Sequence, residues 1–318
     1  MNLISIIVPC YNEEEVLPLF YDKITEIMEN MHAKYEEVAF EIVFVDDGSK
    51  DNTLKKLREL AKKDKRIRYI SFSRNFGKES GMYAGLEAAK GDYIVVMDAD
   101  LQHPPEFIPQ MYEFVREGEY DCATTRRVSR KGESKLRSWF ARKFYSIMDK
   151  ISQTEIVDGA QDFRFMTRQM VDSILSMKEY NRFSKGIFSW VGFKVKYIEY
   201  ENVERAAGTT AWSFWKLFSY SLEGIMAFST APLAIASFLG VISCLAAFIY
   251  AFAVMFKTLI VGEDVHGYPT IVCLILLLGG LQLFCTGILG QYLSKTYLES
   301  KKRPIYIVRE TEEDIKNS

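Results

Sequence analysis

Asp98-Ala99-Asp100 stands directly after the apolar run Tyr93-Ile94-Val95-Val96-Met97. In an extended strand, residues two apart project to the same side, so both carboxylates at the strand's end can face one cation. Hard oxygen ligands of this kind suit magnesium or manganese, ions that commonly bring with them the phosphates of a nucleotide substrate. Earlier in the chain, Asp46-Asp47-Gly48-Ser49 closes a second apolar run that starts at Phe40, and Tyr11-Asn12-Glu13 follows a third, Leu3 to Val8, broken by Pro9. A carboxylate can accept the imide hydrogen of a base or a ribose hydroxyl, and a tyrosine ring can stack on a base. Each feature also has a plainer reading. An Asp-x-Asp arises by chance about once in a chain with this aspartate content, and Asp46 to Ser49 is also a sound polar turn that caps a helix.

These residues need a frame to bring them together, and the intervening sequence supplies one. The apolar runs read as strands. Between them, apolar positions at helical spacing run from about Glu14 to Met31, and a helix that Ser49 or Asp51 can cap runs to about Lys63. A short strand from Ile67 to Ser73, the loop Arg74-Asn75-Phe76-Gly77-Lys78 and a helix to about Ala89 lead to the strand before Asp98. Four strands separated by helices predict an α/β fold, a mostly parallel sheet with helices on both faces. Such sheets bind ligands beyond the carboxyl ends of their strands. Tyr11, Glu13, Asp46, Asp47, Asp98 and Asp100 all fall on that edge.

The 318 residues give room for one large domain and an appendage, and a formal charge of -2 argues against a general nucleic-acid binder. Gly224 to Phe256 and Val265 to Ser294 contain no Lys, Arg, Asp or Glu, and each exceeds the roughly 20 residues that cross a bilayer. Membrane helices are therefore expected at 231–256 and 269–293; a buried hairpin of a soluble protein would need helices longer than usual. Lys295, Lys301, Lys302 and Arg303 follow the second span, against Lys257 alone, with Glu263 and Asp264, in the loop at 257–268. The positive-inside rule then places both termini on the cytoplasmic side. Leu3 to Val8 is too short, and lacks the basic flank, for a signal peptide. The five cysteines, Cys10, Cys122, Cys244, Cys273 and Cys285, show no metal-ligand spacing and suit reduced thiols.

Two further stretches mix basic and aromatic residues. Lys135 to Tyr145, within a helix expected at about 134–150, and 213–230, which contains Phe214, Trp215, Phe218 and Tyr220, read as interfacial helices, with ordinary amphipathic helices on the sheet as the alternative. They divide a domain at 1–212 from the spans, and 294–318 forms a tail. Its run Pro304-Ile305-Tyr306-Ile307-Val308 is too short to fold alone and would dock either on its own domain or on a neighbouring subunit's sheet.

Taken in order, Pro9-Cys10-Tyr11-Asn12-Glu13, Asp46-Asp47-Gly48-Ser49, Asn75-Phe76-Gly77-Lys78 and Asp98-Ala99-Asp100-Leu101-Gln102 resemble the inverting glycosyltransferases of family 2, with the Rossmann-like A-type nucleotide-sugar fold. Gly159-Ala160-Gln161-Asp162-Phe163-Arg164 and Glu204-Arg205-Ala206-Ala207-Gly208-Thr209, followed by two spans, resemble the polyprenyl-phosphate hexosyltransferases, a subgroup with bactoprenol glucosyltransferases and dolichyl-phosphate mannose synthase. The resemblance covers residues 3 to 300.

It implies that Pro9, Tyr11, Glu13, Asp46 and Asp47 hold the base and ribose of a nucleotide sugar. Asp98, Ala99, Asp100, Gln102 and Arg126 would then hold its diphosphate, with Mg2+ or Mn2+ on Asp98 and Asp100. Asp162 would be the catalytic base. Arg205 would bind the lipid phosphate, and Arg164 would pair with Asp162 or touch phosphate. For Arg126 a solvated surface arginine, and for Asp162 a structural Asp-Arg ion pair, are the alternatives. Where relatives carry a lysine before the aromatic of the later loop, this chain has Ala211 before Trp212. The implied activity is inverting transfer of a hexose, of the glucose or N-acetylglucosamine class, from a UDP-sugar to undecaprenyl phosphate at the cytoplasmic membrane face, for cell-wall or surface glycan decoration. A mannose synthase using GDP-mannose is the alternative enzyme, and an inactive membrane-anchored binder of nucleotide sugar or lipid the alternative of another class. The resemblance also implies a homo-oligomer, a tetramer.

Overall fold

The computed structural model describes residues 2–127, 157, 159–200, 225–226, 229–261 and 267–316. Strand β1 (Asn2–Cys10) leads to helix α1 (Leu17–Lys34), followed by β2 (Val38–Asp46), α2 (Thr53–Lys63), β3 (Ile67–Phe72), α3 (Lys78–Ala88) and β4 (Tyr93–Val96). After a short 3-10 turn come α4 (Ile108–Arg116), β5 (Cys122–Arg127), β6 (Ala160–Thr167), α5 (Arg168–Ser176), α6 (Ser184–Trp190) and β7 (Val195–Tyr200). Two long helices, α7 (Ala231–Val261) and α8 (Tyr268–Ser300), precede β8 (Val308–Thr311) and the short α9 (Glu312–Lys316).

One sheet of eight strands, in the order β7-β5-β6-β4-β1-β2-β3-β8, carries the domain. The pairs β4–β1, β1–β2, β2–β3 and β5–β7 are parallel, whereas β6 runs antiparallel to both β4 and β5 and β8 runs antiparallel to β3. The expected mostly parallel α/β sheet is present. β1 and β2 are buried on both faces, which is why their sequences are nearly continuous apolar runs. On one face α1, α2 and α4 pack Leu17, Phe20, Leu57, Met111 and Tyr112 against the strands. On the other, α3, α5 and α6 contribute Met82, Leu86, Met170, Ile174 and Ile187.

Helix α1 begins at Leu17 rather than near Glu14, with Pro18 in its first turn, where a missing N–H costs nothing. Asp51 supports the start of α2 by accepting the Thr53 N–H at 3.0 Å, although Asn52 holds the cap position.

The tail docks on its own domain. Beside β3, Arg58 donates two hydrogen bonds to Glu310 at 2.7 and 2.5 Å, and Arg68 bridges Glu312 and the buried Glu41 at 2.8 and 3.0 Å. Burial alone would raise the Glu41 carboxyl; hydrogen bonds from Ser5, the Lys90 N–H and Arg68 outweigh it and hold the group below its usual range. The Tyr306 ring stacks on Phe72 with centroids 4.9 Å apart, and its hydroxyl donates to Glu87 at 2.6 Å. Removing residues 304–318 is therefore expected to lower the melting temperature of the detergent-solubilised protein by about 5–10 °C, since each kcal/mol is worth about 2–4 °C in a domain of this size. It also bares the β3 edge, so light scattering should report aggregation near the melt. An unchanged melting curve would refute a stabilising role for the tail.

Helices α7 and α8 are long and apolar enough to cross a membrane, with mean hydropathies of 2.3 and 1.8 over their most apolar stretches. Phe238, Phe248, Ile249, Leu276 and Leu283 stay more than 60 % exposed, so the helices are not a hairpin buried in a soluble core. Both expected interfacial helices fall almost wholly outside the described residues, as do residues 262–266 of the loop expected at 257–268, whose residues 257–261 and 268 belong to the long helices.

Candidate active site

The register of the parallel strands sets the floor of the site. Cys10 lies beside Asp46 and Asp46 beside Ser71, so the chain leaves β1, β2 and β3 at one level. Their exit loops converge there, and the two acidic residues after β2 tie them together. Asp46, 1 % exposed, accepts the Ser49 N–H at 3.0 Å and the Ser71 hydroxyl at 2.7 Å. Asp47 accepts the N–H groups of Phe76 and Gly77 at 2.6 and 2.9 Å, and burial pushes its carboxyl above the usual range. Both carboxylates thus organise the loops, a structural task alongside the expected nucleotide contact.

The turn after β1 is clamped to the turn after β2. The Asn12 N–H donates to the Ser49 hydroxyl at 2.9 Å, the Lys50 N–H to the Asn12 side chain at 2.8 Å, and the Glu13 N–H to the Thr53 hydroxyl at 2.8 Å. Tyr11 remains 41 % exposed between them, its ring open for stacking, and Pro9 is half-buried at the end of β1. Gly48 closes the second turn at a φ of 66°, and a Cβ there would sit 2.5 Å from the Arg74 carbonyl carbon. Gly48→Ala is expected to cost about 1–3 kcal/mol through both the left-handed backbone and the clash, read as a lower denaturation midpoint with unchanged slope. An unshifted midpoint would show that the loops yield freely.

Strand β4 ends at Val96, and Asp98 to Leu101 form a turn in which Leu101 has a φ of 55°. This corrects the expectation that an extended strand sets both carboxylates on one side. Asp100 instead accepts the Gln102 N–H at 3.1 Å, and Ala99 is buried in the core. Asp98 meets Lys78, the first residue of α3, whose ammonium lies 2.8 Å from Oδ1 and 2.9 Å from Oδ2. The same nitrogen lies 2.8 Å from Asp162 Oδ2. The antiparallel pairing of Val96 with Arg164 explains the meeting, because counting two residues outward on each strand sets position 98 opposite 162. Burial by itself would favour neutral Asp162; Lys78 and Lys185 overcome it and hold the carboxyl below the usual range.

Around this cluster stand residues the sequence reading did not select. His103 is 6 % exposed, stacks on Phe163 and brings Nδ1 to 3.9 Å from Asp98. Glu79 accepts both the hydroxyl and the N–H of Ser184, fastening α3 to α6, and burial pushes its carboxyl up to about 7. Lys78 had a signal of its own. A lysine opening a helix faces the positive end of the helix dipole, so something other than helix stability places it there.

Arg164 is 3 % exposed, with its guanidinium 4.5 Å above the Phe188 ring. Asp162 is paired with Lys78 in place of the expected Arg164, which is built into the core beneath the site. Arg126, at the end of β5, lies 3.8 Å from Glu199 and is paired with Ala160 in the sheet, two residues from Asp162. Arg205 and Ala211 lie outside the described residues. Asp98 and Asp100 supply two hard carboxylates, and among the described residues no group of three or more His, Cys, Asp or Glu gathers as a cation site. That donor set fits an ion that takes its remaining ligands from substrate phosphates and water.

Residues 5–175 match the profile of Glycosyl transferase family 2. The chain belongs to that family. Among family members, the prophage bactoprenol glucosyl transferase homolog of Escherichia coli is 44 % identical over 96 % of this chain and 98 % of its own length. The bactoprenol glucosyl transferase of Shigella phage SfV is 42 % identical over the same shares. A crystal structure of glucosyl-3-phosphoglycerate synthase from Mycobacterium tuberculosis, in complex with Mn2+, UDP-glucose and phosphoglyceric acid, aligns with a TM-score of 0.47 and 20 % identity over 71 % of this chain and 78 % of that one. The family assignment rests on the sequence matches, and it makes the chain a glycosyltransferase.

Proposed function

We propose that this glycosyltransferase moves a hexose of the glucose class from a UDP-sugar to a polyprenyl phosphate at the cytoplasmic face of the membrane, with inversion at the sugar. The observation that carries this reading is the cluster in which one ammonium joins Asp98 to Asp162. The cluster supports a donor diphosphate at Asp98 and Asp100 and an acceptor phosphate at Asp162, on either side of one small space. The two bactoprenol glucosyl transferase relatives, matched along nearly their whole length, support the acceptor class.

Tyr11, Glu13, Asp46 and Asp47 receive the base and ribose. A divalent cation on Asp98 and Asp100, when bound, neutralises charge on the departing nucleoside diphosphate. Gln102 and Arg126 border that region. Asp162 orients the acceptor on the face of the sugar opposite the leaving group, so that a single displacement follows. Because a phosphate monoester is largely ionised near neutral pH, its second pKa being about 6, Asp162 acts chiefly by alignment. Arg205 receives the lipid phosphate, and α7 and α8 cross the bilayer with Lys301, Lys302 and Arg303 on the cytoplasmic side.

The test is transfer of radiolabelled sugar into organic-extractable lipid, with undecaprenyl phosphate, manganese and a panel of nucleotide sugars. UDP-glucose is expected to label the lipid most. Labelling only from GDP-mannose would transfer the reading to a mannose synthase. Absence of labelling from every donor, for both the natural chain and Ala211→Lys, would remove the enzyme reading.

A further inference from the structure

A cavity of about 770 Å³ opens where the end of α8 meets the sheet domain, a volume in the range of small-molecule sites. Tyr83 and Glu87 of α3 form one wall, Lys178 and Tyr180 after α5 a second, and Glu299 with Lys302 and Arg303 the third. They lie away from the ion cluster: Tyr83 and Glu87 are five and nine residues beyond Lys78, about 7.5 and 13.5 Å along the helix axis.

The walls hold more donors than acceptors. Glu87 already accepts the Tyr306 hydroxyl, and Glu299 accepts the N–H groups of Tyr180 and Asn181 at 2.8 and 3.1 Å. Lys178, Lys302 and Arg303 form no hydrogen bond or ion pair through their side chains with any described residue. The hydroxyls of Tyr83 and Tyr180 likewise meet no acceptor among the described residues. Three exposed cations and two phenols with no acceptor among the described residues give the cavity a basic mouth suited to a ligand rich in anionic oxygen.

The depth of the cavity indicates where that oxygen comes from. The charge-free stretch of α8 ends at Lys295, flanked by Tyr292 and Tyr297, residues of the type that mark a membrane interface. Glu299 lies one turn further on, about 6 Å along the axis, at the level of lipid phosphates. We propose that this cavity binds the phosphate of an anionic phospholipid, which fastens the catalytic domain to the bilayer at the foot of α8. The proposal rests on α8 being a span.

Full-length protein in neutral detergent, incubated with phosphatidylglycerol and with phosphatidylcholine, is examined by native mass spectrometry beside the triple variant Lys178→Gln, Lys302→Gln, Arg303→Gln. The natural chain is expected to retain phosphatidylglycerol over phosphatidylcholine, and the variant to lose at least about tenfold of that retention, each basic residue near a membrane being worth about 1 kcal/mol. Sugar transfer at saturating acceptor should change less than about twofold, which shows that the variant is folded. Equal retention by both proteins, equal retention of both lipids, or displacement of phosphatidylglycerol by equimolar undecaprenyl phosphate would overturn the proposal. Alkaline carbonate washing of membranes tests the span separately, since a spanning chain stays in the pellet whatever the cavity binds.

Discussion

Asp162→Asn lowers turnover by about 10²-fold, the cost of losing alignment of a reactant, while UDP affinity stays within about threefold. The substitution keeps the shape of the side chain and one oxygen for Lys78, and removes the negative charge that on the proposed reading aligns the acceptor. Initial rates at saturating donor, with calorimetric titration of UDP, separate the two effects. Turnover like that of the natural enzyme would show that Asp162 serves structure alone. Lys78 and Lys185 hold this carboxyl low against the pull of burial, so its ionisation is complete through the neutral range. The stability its pairing adds is fully present above the unfolded value of about 3.9 and is lost as pH falls through the lower folded value. Acid loss of activity near pH 6 would therefore report the acceptor phosphate rather than Asp162.

Lys78→Met tightens binding of Mn2+ alone by about tenfold and lowers turnover by about a hundredfold. On the proposed reading the metal ion would compete for Asp98, the carboxylate that the Lys78 ammonium already holds at 2.8 Å. At 4 Å two unit charges repel by about 1–4 kcal/mol between water and a partly screened site, and tenfold in affinity corresponds to about 1.4 kcal/mol. Turnover falls because Asp162 loses the partner that fixes it. Loss of the free Mn2+ resonance signal on titration reads the first effect without any substrate. Unchanged Mn2+ affinity would show that the ammonium and the ion do not share Asp98. Lys78→Arg keeps the charge and is expected to restore the Mn2+ affinity of the natural enzyme, with only partial recovery of turnover, because a planar guanidinium cannot place one nitrogen between two carboxylates as an ammonium does.

The half of the fold built from parallel strands was legible because burial on both faces forces apolar runs, and the residues after each run mark the sheet edge where ligands bind. Tyr11, Asp46 and Asp98 were assigned to that edge in this way, and the strand ends set them there. The other half depends on pairings between distant segments. Nothing local in Ala160–Thr167 says that it inserts antiparallel between β4 and β5, yet that insertion carries Asp162 to Asp98. Nor does sequence say how far Asp162 and Arg164 lie from the edge; Arg164 is two residues deeper and is covered by Phe188. Asn75-Phe76-Gly77-Lys78 stood out as a motif, and its lysine acquired a role only when the sheet brought two acids to it.

The closing strand β8 pairs with β3 and is tied down by contacts such as that of Arg58, on the neighbouring α2, to Glu310, 252 residues apart in sequence. At synthesis rates of about 5–20 residues per second, roughly 13–50 s separate the ribosome's making of these two side chains. Throughout that interval the nascent domain carries an uncovered sheet margin while both long apolar helices are still being made. Burial of that margin thus waits on completion of α7 and α8, and a chain stalled before α8 would present a sticky edge to chaperones and proteases.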